Sequence, residues 1–394
     1  MSELEYLSVT EDCPVGWCGF TAPNETADGE GAVSLFEAPQ RDPRAPTFRR
    51  YDDPGVEALR EALRQHNGLP QVEICAPSDL ERIARVFYRD GFVVVRDLLD
   101  ADKLASLRDG CVDQLSKILE IPGEGNRKYL TESFRLPHRY SYGTSSASRQ
   151  LLHDDRWSSV VDLDTTTPIL QKLFGPLGYN VIGAGGDVCL PGSIEYQNLH
   201  VDFKEDYQVS QERIAHAEGV GIKPRWRADQ TLDPRSQQMI LVRTPPVITI
   251  NFFMSDLTWE NGPIRHIPGS HAMPFAPPSQ EDEPEWMRLS TLVGASAGAG
   301  VFRDSRAWHG ATPNVGRQVR AMPNVEYGAQ WLDDSWFERT MPDEIFQCLS
   351  QHAQNICQRV KSDPDVWPPG AGIMHPHTQK RQQAKEQDGK GDTT

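Results

Sequence analysis

The chain has 394 residues, a formal net charge of −16, 38% hydrophobic and 24% charged residues, which is a globular composition with enough apolar material for one sizeable core. The negative balance excludes a general affinity for nucleic acid or anionic lipid, since both would be repelled. No run of about eighteen uncharged apolar residues offers a membrane span, and the N-terminal MSELEYLSVTEDCPVGWCGF has no basic region followed by an apolar stretch; a soluble, cytoplasmic monomer or homodimer is expected.

Residues 1–50, rich in Pro, Gly and acidic side chains, read as an extended arm. A first helix is expected in PGVEALREALRQH, and arm and helix together form an N-terminal region, 1–75, that packs on the core. Ser78 and Glu81 make a capping box ahead of the helical pattern in LERIARVFYRD. FVVVRDLL follows the Asp90-Gly91 break as a short β-branched strand. Asp100 then caps a second helix, in which Leu104, Leu107, Cys111, Leu115 and Ile118 recur at helical spacing.

From residue 180 the texture changes to short apolar runs broken by Gly and Pro: YNVIGAGGDVCL, SIEYQNLHVDF, PPVITINFFMSDL, RHIPGS, AGAGVFRDSRAWHGA and RQVRAMPNVEYGAQW. Such runs predict an all-β sandwich or barrel, here an enzyme domain over 76–340. It is interrupted at 204–244 by a mostly polar insertion, expected to be a lid or an unstructured loop. A single helix, PDEIFQCLSQHAQNICQRVKS, and a disordered tail complete residues 341–394.

Seven cysteines (Cys13, Cys18, Cys75, Cys111, Cys189, Cys348 and Cys357) lack CxxC spacing and are odd in number, which argues against a zinc ribbon or disulfide framework. The chemistry points elsewhere. His200 and Asp202 stand two positions apart in a strand-like run, so both side chains project from one face. A second such pair, His153 and Asp155, lies in helical texture, where i and i+2 do not share a face; there a capped helix start is expected. His309 follows about a hundred residues after the first pair, between two strand-like runs. Two imidazoles and one carboxylate cover one face of an octahedron and leave three positions open, a donor set suited to non-haem Fe(II) that must bind an organic acid and O2 together.

GFVVVRDLLDADKLASLRDG, NLHVD, DLTWENGPIRHIPGSH and WHGATPNVGRQVR, in this order, resemble the phytanoyl-CoA dioxygenase family of Fe(II)/2-oxoglutarate oxygenases over roughly residues 80–330. The resemblance implies a mainly β protein with flanking helices around a double-stranded β-helix, the jelly roll of cupin-like proteins, with His200, Asp202 and His309 as metal ligands. In that family an arginine eleven residues past the second histidine clamps the distal carboxylate of 2-oxoglutarate; here it is Arg320, a guanidinium fork suited to bidentate binding. Strand alternation puts the competing Arg317 on the opposite face. Relatives often carry a hydroxyl two residues after the distal histidine, where this chain has Ala311, with Thr312 next.

Asn251, in a half-buried strand, is positioned to donate to 2-oxoglutarate or to satisfy a neighbouring backbone group. His266 and His271, between the Asn261-Gly262 and Pro268-Gly269 turns, read as local hydrogen-bonding residues. His138 and Arg139 in FRLPHRYSYG, and Trp226 in GIKPRWRADQ, are candidate substrate contacts or parts of solvated loops. The implied activity is hydroxylation of a small-molecule C–H bond coupled to decarboxylation of 2-oxoglutarate to succinate. The resemblance disfavours halogenation, because halogenating relatives replace the carboxylate retained here as Asp202. A zinc hydrolase would have no use for Arg320. A non-catalytic metal- or ligand-binding jelly roll is the alternative from another class.

Overall fold

The computed structural model describes residues 51–52, 54–66, 72–120, 139–143, 150–204 and 209–366; the expected arm, His138, Cys13, Cys18 and the tail lie outside them. Helix α1 (Pro54–Gln65) forms where PGVEALREALRQH predicts it. Strand β1 (Ile74–Cys75) leads into α2 (Leu80–Asp90), whose N-cap is Asp79, its carboxylate accepting from the Arg82 amide at 3.3 Å. The capping box therefore does not form: Asp79, one residue nearer the helix, supplies the acceptor that Ser78 was expected to provide. Gly91 ends α2 in the left-handed region at φ 83°, and a Cβ there would collide with His271. That stop lets β2 (Phe92–Val95) begin at once. Asp100 caps α3 (Ala101–Glu120) as expected, accepting from the Lys103 amide at 2.8 Å.

The remaining elements are β3 (Arg139–Tyr142), α4 (Asp155–Ser158), α5 (Thr167–Phe174), β4 (Tyr179–Cys189), α6 (Gln211–Gly219), α7 (Pro234–Arg243), β5 (Val247–Phe252), β6 (Ile264–His266), β7 (Gly300–Asp304), β8 (His309–Ala311), β9 (Arg320–Ala329), α8 (Asp343–Gln347) and α9 (Gln351–Cys357). Seven strands form one sheet in the order β1-β2-β7-β5-β9-β4-β3, antiparallel except for β1 against β2; β6 and β8 form a second, small sheet. This is the expected jelly roll with flanking helices.

The strands are buried on both faces, and alternation sorts their side chains. Val93, Val95, Ile248, Ile250, Phe302, Val325 and Tyr327 point outward into the main core, against Ile83 and Phe87 of α2, Leu107 and Cys111 of α3, and Leu170 and Leu173 of α5. Each such large apolar side chain contributes roughly 1.5–3 kcal/mol. Phe92, Val94, Val301 and Met322 point inward, where they meet Ile264 of the small sheet and Leu292. The inner face is thus apolar at one end, and the other end is left for polar groups.

Two expectations change. The insertion contains α6 and α7, capped by Ser210 and Asp233, with a small core of Ile214, Ala217, Ile222 and Ile240. It is tied down by Arg213, which donates to the Thr244 hydroxyl at 2.8 Å and carbonyl at 3.0 Å. Its apolar residues are too few to dominate its polar composition, but they cluster once two helices pack. The expected C-terminal helix is split into α8 and α9, because Ser350 leaves helical geometry and caps α9, accepting from the Ala353 amide at 3.0 Å.

Arg265 of β6 is fully buried and ion-paired with the equally buried Glu283. It also donates to the carbonyls of Gln197 and Met287, fastening the small sheet to the segment before His200. Truncating one partner strands the other charge, so Glu283→Ala should cost about 3–5 kcal/mol in urea denaturation, and Arg265→Met with Glu283→Leu should recover most of it. Burial, then Arg213, pushes the His216 imidazole down to about 4; burial, then Arg303, holds His266 well below 6.5. Such groups bind more protons in the unfolded chain, so their contribution is complete above pH 6.5 and is lost as pH falls toward the folded values. Stability should therefore decline between pH 6.5 and 4 by up to about 1.4 kcal/mol per pH unit for each. In equilibrium unfolding, His266→Phe should flatten that slope.

Candidate active site

His200, Asp202 and His309 come together at one end of the inner face, with one ligand atom from each within 4.8 Å of the others. The segment carrying the first two is not a full strand. It makes a single bridge to β8, in which the His200 amide donates to the His309 carbonyl at 3.0 Å and the His309 amide donates back at 3.1 Å. The Asp202 amide then bonds to the Ser305 carbonyl at 2.9 Å. Two residues of extended backbone are enough to aim both side chains the same way. Gly310 permits this approach, since a Cβ there would lie 2.7 Å from the Gln197 carbonyl oxygen.

The histidines are set up as ligands. Each Nδ1 lies 3.0 Å from a backbone carbonyl, Asn198 for His200 and Ala307 for His309. An Nδ1–H donated there turns the Nε2 lone pair toward the site, where that of His309 faces Arg303 Nη1 at 2.8 Å. The two Nε2 atoms sit 3.6 and 3.5 Å from the Asp202 carboxylate. Burial, then Arg303 and His200, keeps His309 well below its ordinary pKa and hence neutral. Burial alone would raise the Asp202 carboxyl, but Arg303, His309 and His200 hold it far below the ordinary range. Two imidazoles and one carboxylate, converging on one point, fit a divalent ion with open positions.

The triad opens into a cavity of about 190 Å³, whose lining includes Arg139, Asn251, Arg303, Arg320, Asn324 and Glu326. A larger groove of about 1160 Å³, bordered by Arg85, Tyr88, Lys172, Arg243 and His352, contains no member of the triad. Arg320 is 2% exposed; its Nε donates to the Gly262 carbonyl at 3.0 Å, and its buried Nη1 has no partner among the described residues. Arg317 precedes β9, is exposed and stacks on Tyr51, 4.0 Å from the ring centroid; its separation from Arg320 comes from the strand's start, not from alternation. Asn251 pairs with Asn324 in register, and both side chains are buried, their Oδ1 atoms without a partner among the described residues.

Other candidates fall elsewhere. The Thr312 hydroxyl donates to the Pro263 carbonyl and does not line the cavity, so it braces the loop instead of facing a cosubstrate. Arg139 does line it, while its Nη2 donates to the carbonyls of Glu195 at 2.7 Å and Thr312 at 2.8 Å. Trp226 is 49% exposed in a bridge to Leu232 on the insertion, away from the cavity. His266 packs on Phe92 with ring centroids 4.6 Å apart, and His271 packs over Gly91; both support the site by packing. The second HxD pair is a helix start, as expected, although Asp154 and not Asp155 provides the cap.

Sequence reasoning missed Arg303, Asn324 and Glu326. Their signal was alternation: Val301 and Arg303 on β7, and Arg320, Met322, Asn324 and Glu326 on β9, are spaced by two from a known inward residue.

A profile of the family described as phytanoyl-CoA dioxygenase (PhyH) matches residues 87–322. A comparison with curated protein sequences found no match. Among solved structures, AviO1 from Streptomyces viridochromogenes is 17% identical with a TM-score of 0.41, covering 67% of this chain and 99% of its own. HygX from Streptomyces hygroscopicus, solved with nickel, 2-oxoglutarate and hygromycin B bound, is 15% identical with a TM-score of 0.39, covering 64% and 87%. SnoN, an epimerase of nogalamycin biosynthesis described as non-haem and α-ketoglutarate-dependent, is 16% identical with a TM-score of 0.36, covering 64% and 84%. These likenesses are too distant to bear on substrate. The family match spans most of the jelly roll and all three members of the triad: the chain belongs to the phytanoyl-CoA dioxygenase family and is an Fe(II)/2-oxoglutarate-dependent oxygenase.

Proposed function

We propose that this protein hydroxylates a C–H bond of a small molecule, one oxygen atom of O2 entering the product and the other entering succinate as 2-oxoglutarate loses CO2. His200, Asp202 and His309 are the Fe(II) ligands in this reading, and Arg320 holds the distal carboxylate of 2-oxoglutarate. The observation that carries it is Arg320: a buried guanidinium with an unpartnered Nη1, lining the same cavity as a two-histidine, one-carboxylate triad. A protein that only held a metal would have no reason to bury that charge beside it, since an unpaired buried charge is costly.

Fe(II), when bound, supplies the redox chemistry with O2 that no side chain can provide. The chain supplies the rest. Nδ1 contacts to Asn198 and Ala307 hold both imidazoles in the ligating tautomer. Asn251 and Asn324 offer amide groups between the triad and Arg320 for orienting a cosubstrate or substrate. Leu199, Ile267 and Trp308, a buried apolar cluster behind the triad, exclude water from that side. Arg139, at the Arg320 end of the cavity, is the substrate-side or cosubstrate-side contact retained from the sequence.

Arg320→Ala should weaken 2-oxoglutarate binding by about 2–5 kcal/mol, the cost of removing one member of a buried bidentate charge pair. At roughly 1.4 kcal/mol per decade, that is tens- to thousands-fold. Calorimetric titration should show metal affinity without cosubstrate nearly unchanged, and Arg317→Ala nearly neutral in both titrations. His200→Ala, Asp202→Ala and His309→Ala should each lose metal binding. Unimpaired 2-oxoglutarate binding in Arg320→Ala would remove the cosubstrate assignment, whereas metal retained by all three triad variants would remove the metal site itself.

A further inference from the structure

Arg303 is 4% exposed and projects from the inner face of β7, in one register row with Thr249 of β5 and Glu326 of β9. Its Nη1 lies 2.6 Å from the Asp202 carboxylate, 2.8 Å from His309 Nε2 and 3.0 Å from His309 Nδ1. Its Nε has no partner among the described residues. Two other buried arginines have carboxylates of their own: Arg265 has Glu283, and Arg306 holds Asp304 through two bonds of 2.8 and 2.6 Å. Among the described residues Arg303 has no such dedicated partner; the carboxylate it pairs with, Asp202, belongs to the triad.

This has an electrostatic consequence. A divalent ion on the triad would take over the Asp202 charge that Arg303 now uses, would displace Nη1 from its place between Asp202 and His309 Nε2, and would stand as a like charge beside a guanidinium whose own burial weakens solvent screening. With Arg139, Arg303 and Arg320 facing Asp187, Asp202 and Glu326, the cavity is formally balanced in charge and becomes positive when a bare dication is added. It returns toward balance when a dianion arrives with the metal.

We propose that Arg303 couples metal loading to cosubstrate loading: its fixed charge disfavours the bare dication and favours the dication together with 2-oxoglutarate, so that the two are taken up as a pair. The proposal rests on the reading of His200, Asp202 and His309 as the metal ligands. Coupling of this kind is reciprocal, so metal should tighten 2-oxoglutarate binding by the same factor as 2-oxoglutarate tightens metal binding.

The test is titration of the full-length protein with Mn(II), followed by the electron paramagnetic resonance signal of the free ion, with and without saturating 2-oxoglutarate. Chelation alone makes 2-oxoglutarate tighten Mn(II) in any variant, so the informative quantity is the ratio of the two affinities. Arg303→Met should bind Mn(II) alone roughly tenfold more tightly than the unaltered protein, and the ratio should shrink by a similar factor. Arg303→Lys, which keeps the charge, should stay near the unaltered protein. Arg303→Gln replaces the methionine variant if thermal melting shows that the latter does not fold. Equal bare affinities and equal ratios in the unaltered protein and the neutral variants, with Mn(II) binding abolished by Asp202→Ala, would overturn the role of Arg303 and leave the triad intact. Mn(II) binding that survives Asp202→Ala would overturn the triad reading, and this proposal with it.

Discussion

The site depends on one pair of backbone hydrogen bonds, exchanged between His200 and His309 at 3.0 and 3.1 Å. These two amides join chain segments separated by the whole insertion and three strands, and they set the distance between the two imidazoles of the triad. So short a bridge would not hold by itself. It is braced on one side by the buried Arg265–Glu283 pair, which reaches the Gln197 carbonyl. On the other side the Asp304–Arg306 pair rigidifies the turn that leads from β7 to β8. Gly310 supplies the clearance between the two segments. Ionic groups buried in this way add little net stability but penalise alternative arrangements, because any rearrangement strands a charge.

The two faces of the large sheet have divided their labour. The outer face is continuous with the helices and holds the apolar mass of the protein. The inner face is apolar only toward Phe92, Val94 and Met322, and elsewhere presents arginines, carboxylates and amides. A period of two lets a single strand serve both purposes: in β9, Ala321, Val325 and Tyr327 belong to the core while Arg320, Asn324 and Glu326 line the cavity. The cavity walls contributed by β5, β7 and β9 are therefore carried by paired strands, which suits a reaction that needs its groups held to within fractions of an ångström.

That polar lining also bears on what the cavity accepts. Three guanidiniums and several carboxylates and amides around about 190 Å³ favour ligands with charged or hydrogen-bonding groups, since a wholly apolar ligand would leave those groups desolvated and unpaired. The exposed Trp336, against which Phe203 packs with ring centroids 5.1 Å apart, adds an apolar surface to this lining.

The sequence by itself determined the elements with strong local signals and the identity of the reactive groups. Asp100 as a cap, Gly91 as a stop, the β-branched strands and the HxD-to-His order needed only neighbours within a few residues and one family pattern. It did not determine the true cap of α2, the helices hidden in the insertion or the break between α8 and α9, because in each case two local choices differ by about a kilocalorie and packing decides between them. It named Arg320 but gave the wrong reason for setting Arg317 aside, since where a strand begins is decided by its partners. It did not single out Arg303, because an arginine within an apolar run signals neither function nor its absence. Only the tertiary structure, by closing β7 against β5 and drawing the His200 segment across it, brings that charge to 2.6 Å from Asp202. Long-range pairing, which no window of sequence contains, is what turns separated polar residues into one site.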